Sequence, residues 1–341
     1  MLIPIFKPSI RRKDMDSVLS NLISDSIGPG LLAKRFAQSV SRYLGVAGGV
    51  ALREYTRSLE VALDALNLAP GSRVVLSPLS PGMYLHVLKK RGFKPLFADV
   101  DSDSPVISVD SIKNLLSHDP HVLLIHYHLG FIPDMEEISN LGIPIIEDIS
   151  HSFGGNTVDR RCGNYGRYII ISLEPENIIT SGGGGMILAQ RSKDLTAFKK
   201  VISDLPEETV LSDINASLGV VQMSSLESFI QARKEIARIF TQALVESKHK
   251  TLIQSIDSEN VFFSFPVLLE SGMAEVRKYA EKKNVQTLPA FDSSIIKKLN
   301  QNGFTFPNAK TFFFRTLLFP LYPAMGKRNT EHVARVLSTL P

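Results

Sequence analysis

Residues Ile143–Gly155 read IPIIEDISHSFGG, and after a spacer Tyr168–Ile187 read YIIISLEPENIITSGGGGMI. Pro144, Ile145 and Ile146 form a short apolar run that predicts a buried strand. Glu147 and Asp148 put carboxylates where that strand emerges, and the carboxyl edge of an open α/β sheet is where such folds bind ligands. His151 follows three residues later. Tyr168 to Ile171 predict a second buried strand ending at Ser172. Gly182 to Gly185 then permit a tight reversal into Met186-Ile187-Leu188. A P-loop reading of the glycines is disfavoured because a strand follows them, where GxxxxGK[ST] leads into a helix.

These residues resemble the DegT/DnrJ/StrS sugar aminotransferase family, whose corresponding text is close to IEDAAQAHGA and SFxPTKNLTTGEGGM. The resemblance implies an α/β, fold type I large domain of the pyridoxal-phosphate (PLP) dependent transferases, with a mostly parallel sheet, over residues 1–245. A small α+β C-terminal domain is expected over 246–341. It places Asp148 at the family's pyridinium partner, His151 against the cofactor ring and Ser172 and Thr56 at the phosphate. Counted without a gap from Ser172, the position of the Schiff-base lysine is Asn177, and no lysine occurs between Asp148 and Ser192. An amide is neither a titratable group near neutrality nor an amine nucleophile, so it cannot hold the aldehyde or shuttle protons.

Other positions depart from the family in the same place. Its Ser-Gly-Thr phosphate turn is Glu54-Tyr55-Thr56 here, with Arg53 and Arg57 available to restore positive charge beside a helix N-terminus. Its Thr-aromatic pair is Ser80-Pro81, and proline offers no π face for stacking. An Asn that reaches the neighbouring subunit's cofactor is Glu208. Gly28-Pro29-Gly30, the SDINASLG segment from Ser212 and the final LFPLYPAMGK stretch agree with the family, Thr330-Glu331 being read as the start of the last helix. The resemblance therefore covers the whole chain and is weakest at the cofactor contacts.

Outside that site the reading is that of an ordinary globular protein. The 341 residues are 44% hydrophobic and 21% charged, with 38 basic and 34 acidic residues scattered through the chain. Arg11-Arg12-Lys13 and Lys89-Lys90-Arg91 read as solvated helix faces, which argues against a nucleic-acid partner. One cysteine, Cys162, in a turn-like segment, gives no intrachain disulfide; with no signal-like start and no apolar run long enough for a membrane span, a cytoplasmic protein is expected. His126 and His128 share a face at strand spacing, but no third ligand stands at metal-motif spacing, so they are read as hydrogen-bonding residues.

Helical periodicity predicts helices over Met15–Ile23 and Leu31–Leu44. Strands are predicted at Gly49–Leu52, Val74–Leu76, Pro95–Asp101, Val122–Ile125 and Val261–Leu269. The expected function is that of a nucleotide-sugar aminotransferase homologue that does not transaminate, with binding of PLP, pyridoxamine phosphate (PMP) or a nucleotide-sugar still open. The alternatives are a non-catalytic partner subunit or interaction protein, and a PLP or PMP enzyme of altered chemistry such as a sugar dehydratase, with His151 as its base. A homodimer is expected, because family members build the pocket from both chains.

Overall fold

The structure, a computed structural model, describes residues 2–25, 27–254, 257–270, 272–299 and 305–341. Seven strands form the central sheet: β1 (Gly48–Leu52), β2 (Arg73–Leu76), β3 (Lys94–Phe97), β4 (Val122–His126), β5 (Ile145–Asp148), β6 (Tyr168–Ser172) and β7 (Gly185–Ala189). Their spatial order is β1-β7-β6-β5-β4-β2-β3, and only β7 runs antiparallel to its neighbours. The central strands are buried on both faces, and the side-chain alternation of a strand sends successive residues to opposite cores. Leu123, Ile125, Ile169 and Ile171 pack with α2 (Leu31–Leu44) and the long helix Asp213–Leu244. Leu124, Ile146, Ile170 and Ile187 pack with α3 (Tyr55–Ala65) and α4 (Met83–Lys90).

The glycine run decides how the sheet meets α3. Gly182, Gly183 and Gly184 have φ of 78°, 133° and 101°, conformations that side chains rarely adopt. A Cβ at Gly184 would lie 2.7 Å from the Leu52 carbonyl oxygen, and one at Gly185 would lie 2.7 Å from Tyr55 Cα. The start of β7 is thus pressed against the end of β1 and the first turn of α3.

A second sheet of four strands (Leu288–Pro289, Thr316–Phe319, Phe265–Leu268, Lys250–Thr251, in that spatial order) carries the C-terminal part. The N-terminus joins it, since Ile3 bridges Val285 and packs in the same core. Arg233 of the long helix ties the two parts together: 4% exposed, its Nη1 donates to the carbonyls of Phe262, Phe263 and Leu321 at 3.1, 2.9 and 3.1 Å. Burial lowers its pKa to about 10.

Three boundaries differ from the sequence reading by four residues. The strand expected over Val261–Leu269 begins only at Phe265, because Phe262 takes φ of 53° with its N–H donating to Asn260 Oδ1 at 2.6 Å. The strand expected to run to Asp101 ends at Phe97, and Val100 bridges Ile107 instead. The last helix starts at Gly326, leaving Thr330 inside it with its hydroxyl on the Gly326 carbonyl. No helix among the described residues is long and apolar enough to cross a membrane.

Candidate active site

β4, β5 and β6 end side by side, with His126 in register with Asp148 and Asp148 with Ile170. Their carboxyl edge gathers most of the residues singled out in the sequence. Asp148 is fully buried, and its Oδ1 accepts from Ser150 N at 3.0 Å and Ser150 Oγ at 2.5 Å. Ser172 N donates to the same Ser150 Oγ at 2.8 Å, and Asn177 Nδ2 donates to Ser172 Oγ at 2.9 Å. One continuous hydrogen-bond chain therefore runs from Asn177 through Ser172 and Ser150 to Asp148. Asn177 Oδ1 is buried with no hydrogen-bond partner among the described residues.

The other carboxylate oxygen is crowded. Asp148 Oδ2 accepts from the hydroxyls of Tyr55 and Tyr84, and His126 Nδ1 lies 3.2 Å away, off the line of a good hydrogen bond. Burial alone would raise the Asp148 carboxyl; the neighbouring His126 and the bonds from Ser150 and Tyr55 outweigh it and hold the pKa below the usual carboxylate range. Tyr55 and Tyr84 are pushed well above the ordinary phenol value, first by burial and then by the neighbouring carboxylate. Both stay protonated donors.

His151 stands one ring further out. It stacks on Phe263 with centroids 3.8 Å apart and planes at 14°, meets His126 edge-on at 4.7 Å, and its Nδ1 accepts from Leu129 N at 3.3 Å. His128 completes a row of three imidazoles, 4.9 Å from His126, with its Nε2 unpartnered among the described residues. Burial lowers the pKa of His128 and of His151. Among the described residues no group of His, Cys, Asp or Glu is arranged to hold a metal ion.

Thr56 stays outside this network, partly exposed in the first turn of α3. The expectation that Arg57 restores positive charge there needs correction, since Arg57 Nη1 is ion-paired with Glu60, which also takes Lys90 at 3.2 Å and Arg91 at 3.5 Å. A surface cavity of about 290 Å³ beside this helix end is lined by Arg53, Glu54, Arg57 and Glu208, among others. Its charge is mixed. Ser80-Pro81 is packed against the C-terminal part, with Pro81 bridging Ser294 and the Ser80 carbonyl accepting from Ile295 N.

PLP, which the resemblance implies, requires a free Asp148 oxygen for its ring nitrogen, an amine for its aldehyde and a cradle for its phosphate. Here Oδ2 already carries two tyrosine hydroxyls, no lysine lies on the 149–192 segment, and two carboxylates line the helix end. The residues present do not fit the group. Sequence reading missed the cause: Tyr55 registered only as a lost glycine, His126 only as a hydrogen-bonding residue, and Tyr84 was not singled out. Nothing in their spacing signals that three elements converge on one oxygen.

Relatives share the whole chain. It is 23% identical to dTDP-4-dehydro-2,3,6-trideoxy-D-glucose 4-aminotransferase of Saccharopolyspora spinosa, over 98% of this chain and 95% of that protein. Among solved structures it superposes on the aminotransferase TlmJ of Streptoalloteichus hindustanus with a TM-score of 0.92, at 22% identity, covering 99% and 98% of the two chains. It also superposes on the GDP-4-keto-6-deoxymannose-3-dehydratase ColD with a TM-score of 0.88, at 17% identity, covering 98% and 99%. The fold is that of the PLP-dependent sugar aminotransferases. With residues 8–340 matching the family as a whole, the chain belongs to the DegT/DnrJ/EryC1/StrS aminotransferase family.

Proposed function

We propose that this chain is a non-transaminating member of its family, a nucleotide-sugar aminotransferase homologue in which Asn177 stands at the lysine position and the fold serves as a binding or partner subunit. The observation that carries the reading is the closed state of Asp148, whose Oδ2 is capped by the Tyr55 and Tyr84 hydroxyls. Asn177 supports it: an amide that donates to Ser172 Oγ is a hydrogen-bonding residue, not a nucleophile. The dehydratase alternative needs His151 as a base, whereas its ring is stacked on Phe263 and its Nδ1 is engaged by the Leu129 amide.

The proposed assembly is a homodimer or a pairing with a catalytic homologue. Supporting it is the apolar side of α1 (Arg12–Ile23), where Met15, Leu19, Leu22 and Ile23 are 52, 55, 43 and 83% exposed, with Ile27 and Leu31 just beyond at 51 and 74%. Met15, Leu19, Leu22 and Ile23 fall at helical spacing on one face, and exposed apolar side chains grouped in that way mark interaction sites.

The test is reconstitution with PLP, borohydride and peptide mapping, alongside a transamination assay with glutamate and a keto-sugar nucleotide. The wild type is expected to give no saturable, stoichiometric borohydride-fixed adduct at any lysine and no turnover. Asn177→Lys alone is expected to restore neither, because Tyr55 still holds Asp148. Robust transamination by wild type would end the reading.

A further inference from the structure

Asp148 has kept everything a ring-binding carboxylate needs. It is fully buried at the carboxyl edge of the sheet, Ser150 fixes its Oδ1 from backbone and side chain, and His126 stands beside its Oδ2. What has changed is the occupant. Tyr84 comes from the core, 0% exposed, and belongs to the wall of the site. Tyr55 comes from the other side, in the first turn of α3, where the close approach of Gly185 to its Cα locks the backbone against β7. The residue is partly exposed while its hydroxyl ends on the buried carboxylate. A flat ring with a single donor at its inner end is what a protonated pyridine would also present.

We propose that Tyr55 is an internal ligand, its phenol filling a latent slot on Asp148 that takes flat aromatic molecules carrying one hydrogen-bond donor, such as a phenol or a pyridinium. The inference deepens the proposed function and rests on its placement of Asp148 as the ring partner. Removing the Tyr55 ring leaves the carboxylate facing a ring-sized space walled by Tyr84 and His126. Apolar cavities of ring size take up small aromatic molecules, whereas a polar one holds water that a ligand must replace. The donor matters because Oδ2 would keep only the Tyr84 hydroxyl, so a ring that restores the lost hydrogen bond is preferred over one that cannot.

The experiment compares wild type, Tyr55→Phe and Tyr55→Ala, with phenol, benzene and pyridoxamine as probes. Pyridoxamine carries neither the aldehyde that reacts with surface lysines nor the phosphate that the altered helix end would have to hold. Binding is read by calorimetry and by the ligand-dependent rise in melting temperature. Tyr55→Ala is expected to bind phenol and pyridoxamine saturably, roughly tenfold or more tighter than it binds benzene and than wild type or Tyr55→Phe binds any of the three. In Tyr55→Phe the slot remains filled, so a gain there would show that losing the hydroxyl, not the ring, opens the site, and would overturn the proposal. So would a folded Tyr55→Ala that binds no ring, or a wild type that binds as tightly as the variant. Tyr55→Ser, suited to a first helical turn, is the second variant. If both fold poorly, refolding by phenol but not by benzene supports the slot, and no response to phenol overturns it. Transaminase activity of the wild type, measured without any variant, separately decides the proposed function.

Discussion

Glu147 and Asp148 are adjacent, both fully buried, and end the same strand, yet they are held in opposite ways. Glu147 points to the α2 side, where it accepts from the N–H groups of Gly163 at 3.1 Å, Tyr165 at 2.8 Å and Gly166, and from the Tyr127 hydroxyl at 2.6 Å. Its partners are mostly main chain, so it pins the turn that feeds β6. Asp148 is held mainly by side chains from α3, α4, β4 and the turn after β5. Backbone partners make a carboxylate part of the scaffold; side-chain partners can be replaced one substitution at a time. The candidate site is built on the second residue, while the first serves the fold.

Breaking Glu147 is expected to have the largest effect. Glu147→Ala strands the buried N–H groups of Gly163 and Gly166, the buried Tyr127 hydroxyl and the part-buried N–H of Tyr165, and with about 1–3 kcal/mol for each buried group the loss reaches about 3 kcal/mol or more in urea unfolding. Asp148→Asn keeps the volume and still offers one acceptor, so about 1–3 kcal/mol is expected. Equal costs would remove the distinction between scaffold and site.

The pH dependence sharpens the same contrast. Burial raises the folded pKa of Glu147 despite its hydrogen bonds, so the stability tied to it is present below its unfolded value, about 4.3, and is lost as the pH rises through the folded value. Asp148 has the reverse sign: its lowered pKa gives stability present above about 3.9 and lost as the pH falls through the folded value. The imidazole row adds to the Asp148 side. His128 and His151 are lowered by burial, so their contribution is complete above about 6.5 and falls with pH from there, by up to about 1.4 kcal/mol per pH unit for each. Melting temperatures between neutrality and mild acid are expected to drop. His128→Asn is expected to flatten that slope, the smallest of these effects, and an unchanged slope would mean that His128 takes up its proton as readily in the folded chain as in the unfolded one.

Several features were legible from the sequence because they are local. The apolar runs of PIIED and YIIIS, the periodicity of Leu31–Leu44 and the glycine run each encode one element through apolar content, side-chain period or backbone freedom, and each sits where expected. Asp148, Ser172 and Asn177 were likewise placed on one edge by the order of strands, and one hydrogen-bond chain joins them. The absence of a lysine from this stretch is a fact of sequence alone. What only the tertiary structure decided is who reaches Asp148. Tyr55 and Tyr84 lie 93 and 64 residues before it, and their hydroxyls arrive because β7 presses on α3 and α4 packs under the sheet. The same holds for Glu60, which besides Arg57 one turn along its own helix takes Lys90 and Arg91 of a neighbouring segment. A residue's type fixes which bonds it can make, but a buried group takes the partner that packing brings within 3 Å, and that choice is written in no single stretch of the chain.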